Sequence, residues 1–369
     1  MKPVLFVTGH IPAYRAGALE CLHEREQIEV ALFGGRSKHG GGAFDGELPF
    51  PHRRVRPSEL HALAASGRYR AVVCPTGGRL APLATWTGAR RGRVPLLLWA
   101  SLWSHPRSAA HAVTYLPLRH LYRSADAVVT YGPHVSAYVA ARGAHNVHVA
   151  PQSVDNAFWS SPAIEAPREP SWPAATTTRF LFVGRPAAEK GIEVLLRAWR
   201  ESGLRPPAGA LALVGVGSDF APAGGRGGGA SDPRLDGALY LDSVPPVELR
   251  NLYAAADVLV LPSIPTRTFR EPWGLVVNEA MNRGLAVIAT DAVGAAAGGL
   301  VRDGENGLVV PAGDSAALAA AIARLHGDEA LRRRMGQAGA RDVRAYSHEA
   351  WAEGFSAALA TVGLARKRW

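Results

Sequence analysis

Short apolar runs recur along the chain and alternate with longer stretches of helical character. Each run is bounded by turn-forming residues and is too short for a buried helix. The runs are residues 4–7, 28–33, 71–74, 95–99, 127–130, 180–183, 210–214, 258–261 and 286–289. Short buried strands separated by helices indicate a parallel sheet covered by helices on both faces. The sequence therefore predicts an α/β fold.

A proline-rich stretch divides these runs into two sets. Four prolines fall within residues 160–178, and such a composition is typical of a linker. A chain of 369 residues is long enough for two domains with separate cores. We predict an N-terminal Rossmann-like domain over residues 1–160, a linker over 161–178 and a second Rossmann-like domain over 179–348.

The excess positive charge is confined to the first 150 residues. They contain 18 Lys and Arg against 8 Asp and Glu, or 18 − 8 = +10, whereas residues 151–369 contain 23 of each. A basic domain attracts an anionic membrane surface, a phosphorylated acceptor or nucleic acid. It can equally be a solvated surface in an Arg-rich protein. No nucleic-acid-binding motif accompanies the charge, so we expect no nucleic-acid partner.

Cysteine content and hydropathy bear on the compartment. Cys21 and Cys74 are the two cysteines, and two thiols without metal-ligand spacing are typical of a reducing compartment. No apolar run approaches the roughly 18 residues of a membrane-spanning helix. Residues 1–7 are too short for a signal-peptide core. We expect a cytoplasmic protein, with peripheral contact to the inner face of a membrane as an open alternative.

Two glutamates frame a turn and the start of a predicted helix after the run 258–261. Glu271 precedes Gly274, and Glu279 lies eight positions beyond Glu271 within an apolar helical stretch. A helix N-terminus offers free N–H groups and a positive dipole end to a phosphate. Carboxylates on either side can accept hydrogen bonds from hydroxyls. The layout favours a site for a sugar nucleotide.

Two cations follow the run 180–183. Arg185 and Lys190 lie in the loop that opens the next predicted helix, where both can reach one diphosphate. The alternative is a solvated pair at a helix start. The position of both cations in one loop favours the first interpretation.

Together these segments resemble the retaining glycosyltransferases of the GT-B fold, family 4, or glycosyl transferases group 1. The resemblance rests on residues 271–284, 182–191 and 301–311. It implies two Rossmann-like domains facing across a cleft, with the C-terminal helix, about 349–369, crossing back onto the N-terminal domain. It also implies a nucleoside-diphosphate sugar as donor and retention of anomeric configuration. Since the chain contains no Asp-x-Asp pair, we expect no metal and no other cofactor.

The resemblance also implies roles for individual residues. Arg185 and Lys190 would stabilise the diphosphate, Glu271 would contact the sugar hydroxyls and Glu279 would accept hydrogen bonds from the ribose. Together with His105, which follows the run 95–99, the first three form the expected catalytic set. The expected donor-binding residues are Gly184, Gly17, Val244, Gly274, Leu275, Val276 and Glu279. A surface or packing role for His105 stays open.

The sequence departs from the family pattern at two places. Trp273 replaces the usual Phe before Gly274, which suggests a different sugar pocket. The first loop, expected over residues 8–17, lacks the common Gly-Gly pair; there Gly17 would let the backbone approach a ligand. Arg15 would contact either an anionic ligand or a structural carboxylate.

Residues 113–123 interleave apolar and basic side chains. One interpretation is a helix on a membrane surface; the other, which we favour, is core packing with a basic outer face. Pro117 is expected to start or interrupt the helix, so the pattern is short. The glycine-rich stretches 38–46 and 224–231 are expected to be loops.

These features predict transfer of a sugar to an acceptor hydroxyl, in polysaccharide or glycolipid assembly. The acceptor would be a carbohydrate, a lipid-linked intermediate or a small molecule held on the basic N-terminal domain. Decoration of a small-molecule natural product is one alternative. A non-catalytic protein that binds nucleotide sugars is another. A glycosidase is not expected, because its two acids would flank one anomeric carbon.

Overall fold

The computed structural model describes residues 2–34, 48–78, 80–162, 172, 177–217, 220 and 238–364. Both glycine-rich stretches lie outside these residues, and so does most of the predicted linker.

The described residues form two compact units. Unit 1 comprises Met1–Asp155 and Tyr346–Trp369, and unit 2 comprises Asn156–Ala345. The chain thus passes from unit 1 to unit 2 at residue 155 and returns after residue 345, so that unit 1 is discontinuous in sequence.

Unit 1 is built on a parallel sheet that has seven strands in the described part of the chain. Their order is β3-β2-β1-β4-β5-β6-β7, and all of these pairs are parallel. The strands are β1 Val4–Thr8, β2 Ile28–Leu32, β3 His52–Arg54, β4 Ala71–Pro75, β5 Leu96–Ala100, β6 Ala127–Thr130 and β7 Val147–Val149. The five predicted strands are confirmed, and two edge strands, β3 and β7, are added.

Unit 2 repeats the plan with six strands among its described residues. Their order is β10-β9-β8-β11-β12-β13, again parallel throughout. The strands are β8 Thr178–Val183, β9 Gly209–Val214, β10 Ala238–Leu241, β11 Val258–Leu261, β12 Ala286–Thr290 and β13 Gly307–Val310. The α/β prediction is confirmed in both units.

Helices lie in most of the described connections between strands, as is usual for parallel pairing. They are α1 Ala13–Glu26, α2 Leu60–Ala65, α3 Ala81–Gly92, α4 Ala109–Ser124, α5 Pro133–Ala140, α6 Asn156–Ser160, α7 Ile192–Ser202, α8 Pro246–Ala255, α9 Val276–Asn282, α10 Gly294–Ala297, α11 Ser315–Gly327, α12 Glu329–Asp342 and α13 His348–Leu364. The central strands of each sheet are almost entirely buried, because helices cover both faces.

The last helix, α13, completes the core of unit 1. Trp351 and Phe355 are fully buried, and the Phe355 ring lies 5.6 Å from that of Phe6 on β1 and 6.0 Å from that of Trp99 on β5. A side chain at Gly354 would overlap the carbonyl oxygen of Val149. This glycine therefore lets α13 lie directly on the edge of the sheet.

Two local predictions are wrong. Residues 13–17 belong to α1, so the first loop ends at Pro12. Pro117 lies inside the sixteen-residue α4 rather than limiting it. Leu121 is buried, but Val113 and Leu116 are 77% and 68% exposed. Core packing therefore accounts only for the C-terminal half of this helix.

Candidate functional site

Two loops of unit 2 meet at the carboxyl ends of the neighbouring strands β8 and β11. Gly191 has φ +66°, and a Cβ there would overlap the carbonyl oxygen of Pro262. The amide of Ile264 donates to the carbonyl oxygen of Glu189 over 3.0 Å. Only glycine permits this approach, which fixes the loop after β8 against the loop after β11. Ligands of parallel α/β sheets bind at this edge.

The contact brings together two predicted site residues that are far apart in sequence. Lys190 Nζ lies 2.5 Å from Glu271 Oε2, and both side chains are largely buried. Ser263 Oγ also donates to Glu271 Oε2, at 3.4 Å. An ammonium group has three donors, so Lys190 can bind Glu271 and still donate to a ligand oxygen. The arrangement pairs a cation suited to phosphate with an acceptor suited to hydroxyls.

Arg185 lies in the same loop but has its own carboxylate. Its guanidinium forms an ion pair with Glu189 one helical turn later, and 43% of its side chain is exposed. Since the guanidinium is open to solvent, the ion pair itself is weak. Arg185 can therefore exchange Glu189 for another anion at low cost, whereas Lys190 is held more firmly.

Gly274 shapes the turn that leads into α9. Its φ is +89°, and a Cβ would lie 2.7 Å from Cδ2 of Leu261. Val277 N donates to Gly274 O over 3.0 Å. The N–H groups of Gly274, Leu275 and Val276 precede or open the helix, where N–H groups have no acceptor within it. These three residues are placed as a phosphate or sugar contact would require.

Glu279 on α9 has a different partner from Glu271. Tyr253 on α8 is fully buried, and its hydroxyl donates to Glu279 Oε2 over 2.8 Å. Burial raises the pKa of Glu279 to about 7, and the Tyr253 hydrogen bond opposes that shift. One carboxylate oxygen is thus held by Tyr253, while Oε1 has capacity for a further donor.

A third loop lies beside the first. Gly215 N donates to Leu241 O over 3.0 Å, and a Cβ on Gly215 would lie 3.0 Å from the carbonyl oxygen of Gly184. Val244 follows β10 in the loop before α8 and is half-buried. Gly184 and Val244 therefore lie on loops at the carboxyl ends of β8 and β10, the two strands that flank β9.

Trp273 lies in the interior of unit 2. It is 3% exposed, and its indole N–H donates to the buried Asn278 Oδ1 over 2.7 Å. A Cβ on Gly294 would overlap the backbone of Pro272. Trp273 therefore fixes the turn that carries Glu271 and does not present its ring at the surface.

His105 belongs to unit 1 and is not part of this cluster. Its Nε2 lies 2.9 Å from the carbonyl oxygen of His111, so Nε2 carries the proton. Its ring stacks edge-on against Tyr115, with centroids 5.0 Å apart. It lines a pocket of unit 1 with Arg107 and Arg142.

Gly17 and Arg15 also lie in unit 1. A Cβ on Gly17 would lie 2.6 Å from Nδ1 of His348, so this glycine permits contact between α1 and α13. Arg15 is 4% exposed and donates to Gln152 Oε1 over 2.5 Å. Its guanidinium lies 5.0 Å from the Trp351 ring centroid. None of the ion pairs found among the described residues includes Arg15.

Sequence reasoning missed three residues that shape the site: Tyr253, Ser263 and Glu189. Each contacts a predicted residue from a different element or turn, and none belongs to a pattern with a chemical meaning of its own. The close contact at Gly191 was also missed, but it did have a signal in the sequence, because a glycine often marks a position of positive φ.

Among the described residues, no group of three or more His, Cys, Asp or Glu side chains is placed to hold a metal ion. Within the same residues, no helix is long and apolar enough to cross a bilayer.

Residues 177–328 match the sequence model of the family described as glycosyl transferases group 1. The chain is 35% identical over 194 residues to D-inositol 3-phosphate glycosyltransferase of Nocardia farcinica, which covers 50% of this chain and 38% of that relative. It is 46% identical over 92 residues to phosphatidyl-myo-inositol mannosyltransferase of Mycobacterium leprae, covering 25% and 23% of the two chains. The matched segment thus spans less than half the length of either relative.

Solved structures resemble the whole chain. Sucrose-phosphate synthase of Thermosynechococcus elongatus gives a TM-score of 0.72 at 22% identity, covering 99% of this chain and 100% of that one. HepE of Anabaena, solved in complex with UDP-glucose, gives 0.71 at 18% identity, covering 97% and 99%. At these identities the likeness concerns the fold.

Proposed function

We propose that this chain, a GT-B protein of the glycosyl transferases group 1 family, transfers a sugar from a nucleoside-diphosphate sugar to an acceptor hydroxyl. The observation that carries the proposal is the contact between Lys190 and Glu271 at the carboxyl edge of the unit 2 sheet. A buried cation and a buried acceptor, side by side at this edge, suit a group that carries both phosphate and hydroxyls.

Each candidate site residue of unit 2 has a role in holding the donor. Lys190 and Arg185 bind the diphosphate, with Arg185 exchanging Glu189 for a phosphate oxygen. Glu271 accepts hydrogen bonds from the sugar, and the amides of the turn at Gly274 add donors. Glu279 accepts from the ribose through the oxygen that Tyr253 does not hold. The base lies near Gly184 and Val244.

The transfer proceeds with retention. The acceptor oxygen attacks the anomeric carbon on the face from which the diphosphate departs. The new C–O bond forms as the bond between the anomeric carbon and the phosphate oxygen breaks, and the acceptor proton passes to that departing oxygen. This course needs no enzyme nucleophile and no metal ion. Lys190 and Arg185 stabilise the charge that develops on the leaving diphosphate.

The acceptor binds unit 1, whose charge suits an anionic acceptor or an anionic surface. We place the reaction in polysaccharide or glycolipid assembly, where acceptors are lipid-linked or phosphorylated. The relatives named for inositol phosphate and phosphatidylinositol acceptors support this assignment. Decoration of a small neutral molecule would make no use of this charge.

A thermal-shift screen of the purified protein against UDP, GDP, ADP and TDP, and their sugar conjugates, tests the donor site. A ligand that binds only the folded state raises the melting temperature according to its affinity. We expect one base to stand out, and the shift to be lost in Glu279→Ala but kept in Glu248→Ala, which alters an acid on α8. No shift with any nucleotide would contradict the proposal.

The non-catalytic alternative is separated from the enzyme by turnover. A protein that only binds nucleotide sugars would give the thermal shift. It would release no nucleoside diphosphate from the sugar nucleotide when a cell extract is added as a source of acceptors. We expect release, and its loss in Lys190→Ala.

A peripheral membrane contact is a second proposal, favoured by the exposed face of α4. Val113 and Leu116 project among Arg119 and Arg123, which is the composition of an interfacial helix. Leu116→Asp should reduce sedimentation with phosphatidylglycerol vesicles, whereas Val247→Asp, at an exposed apolar position of unit 2, should not. Equal sedimentation of both variants would exclude this contact.

A further inference from the structure

A pocket of about 510 Å³ opens within unit 1. It is formed by the loop from Trp103 to Ser108, the first turns of α4, and Tyr138 and Arg142 at the end of α5. The loop follows β5, so this wall of the pocket starts from the carboxyl edge of the sheet, where α/β proteins bind ligands. A volume of this order accommodates a phosphorylated monosaccharide.

The lining of the pocket is one-sided in charge. It includes Arg107 and Arg142 and no acidic side chain. None of the ion pairs found among the described residues involves either arginine. The sixteen-residue α4 begins at the pocket, capped by Ser108, and directs its positive end there.

The wider sequence shows the same imbalance. Between residues 60 and 154 there are ten arginines and a single acid, Asp126. The carboxylate of Asp126 accepts from the amide of Leu96 over 2.8 Å and does not line the pocket. The positive potential of this region is therefore not compensated by its own sequence.

The walls of the pocket are held in place by contacts within unit 1. Arg142 Nη1 donates to Tyr138 O over 2.9 Å, and its guanidinium lies 3.4 Å above the Tyr138 ring. His105 is fixed through Nε2 to His111, while its buried Nδ1 has no hydrogen-bond partner within the described residues. A cation fixed in advance loses little freedom on binding an anion.

We propose that this pocket binds a phosphomonoester on the acceptor, with Arg107, Arg142 and the start of α4 contacting the phosphate and Trp103 lining the side of a sugar ring. The inference rests on the proposed function, since it assigns the acceptor class of the same transferase. It gives His105 a place in the acceptor pocket.

Calorimetric titration of the full chain with glucose 6-phosphate, glucose and inorganic phosphate tests the proposal. We expect glucose 6-phosphate to bind, glucose not to bind, and inorganic phosphate to bind about ten-fold more weakly. Arg107→Gln and Arg142→Gln should each weaken glucose 6-phosphate binding about ten-fold, because each removes a charged hydrogen bond. Arg91→Gln, an exposed site on α3, is the matched control and should change nothing.

Arg107 is exposed, so its variant keeps the test valid if Arg142→Gln fails to fold. Equal binding of inorganic phosphate and glucose 6-phosphate would overturn the acceptor assignment in favour of a free-phosphate site. Arg107-dependent binding to phosphatidylglycerol vesicles, without glucose 6-phosphate binding, would overturn it in favour of a membrane surface. Binding that is absent, or insensitive to both variants, would also overturn it.

The nucleotide shift, measured on the same preparation, separates the two proposals. If the nucleotide binds and glucose 6-phosphate does not, only the acceptor assignment fails. If no nucleotide binds, the transferase itself is contradicted.

Discussion

Glu271 and Glu279 lie on one short segment but have different chemistry. Glu271 is a buried carboxylate neutralised by Lys190, whereas Glu279 is hydrogen-bonded to a neutral tyrosine hydroxyl. A buried charge needs a partner of opposite charge, and without one its pKa shifts instead. The two acids therefore respond differently to mutation and to pH.

Lys190→Ala should affect both stability and activity. Removing the ammonium leaves Glu271 buried and unpaired, which we expect to lower the free energy of unfolding by about 3 kcal/mol. Loss of the diphosphate contact should lower kcat/KM at least about 100-fold. Chemical denaturation and steady-state kinetics measure the two effects.

The double variant Lys190→Ala/Glu271→Gln separates the effect on stability from the effect on activity. Neutralising the orphaned carboxylate should restore most of the stability but none of the activity. If activity returned with stability, the lysine would be a structural residue only.

Nucleotide affinity should rise between about pH 6 and pH 8. Because the pKa of Glu279 is about 7, its carboxyl loses a proton over this range and becomes a stronger acceptor for the ribose. Glu279→Gln should remove this dependence; the nucleotide titrates identically with both proteins, so the difference belongs to Glu279. Parallel profiles for the two proteins would contradict the assignment.

The same group sets the sign of a stability change. The folded carboxyl retains its proton to about pH 7, whereas its ordinary pKa is 4.5. The folded state therefore binds more protons between these values, and the contribution of Glu279 to the free energy of unfolding falls as pH rises through this window.

At the scale of elements, α7 is flanked at each end by a glycine of positive φ. Gly191 has φ +66° and Gly203 has φ +69°, but only Gly191 lies against another loop. Gly203→Ala should cost about 1 kcal/mol for backbone strain. Gly191→Ala should cost at least about 3 kcal/mol, because its Cβ also displaces the loop after β11.

Chemical denaturation of both variants measures this difference, and nucleotide binding should be lost only in Gly191→Ala. Equal destabilisation would mean that the two loops are not held together by this contact.

The sequence predicted central strands and missed edge strands. Central strands of a parallel sheet are buried on both faces, so β1 and β11 are continuous apolar runs. The edge strand β3 is His52-Arg53-Arg54, with largely exposed residues, and has no apolar signal. The prediction that Pro117 starts or interrupts a helix was wrong for a different reason. Whether a helix continues through a proline depends on how the preceding turn accommodates its ring, and composition does not reveal this.

The sequence offered candidate site residues one by one but not the contacts between them. The acid pair and the two cations were noticed because the members of each pair are close in sequence at a predicted helix start. The contact between Lys190 and Glu271 depends on which strands are neighbours, and strand order is a tertiary property. The assignment of Gly17 to a ligand loop came from reading a helix as a loop.

At the scale of the whole molecule, unit 1 depends on the last helix. Phe355 is fully buried among Phe6, Trp99 and Trp351. Phe355→Ala should lower the stability of unit 1 by about 3–5 kcal/mol and leave the nucleotide-induced shift of unit 2 intact. In calorimetry we expect two separate unfolding transitions, of which only that of unit 1 moves to lower temperature in the variant. Loss of the nucleotide-induced shift would show that the units unfold together.

The discontinuity of unit 1 also fixes an order of events on the ribosome. The strands of its sheet emerge first, but α13 follows only after the whole of unit 2. At about 5–20 residues per second, the roughly 190 intervening residues take about 10–40 s to synthesise. For that time the sheet face that receives Trp351 and Phe355 is an uncovered apolar surface. Yield in the cell should therefore depend on chaperones that shield nascent chains.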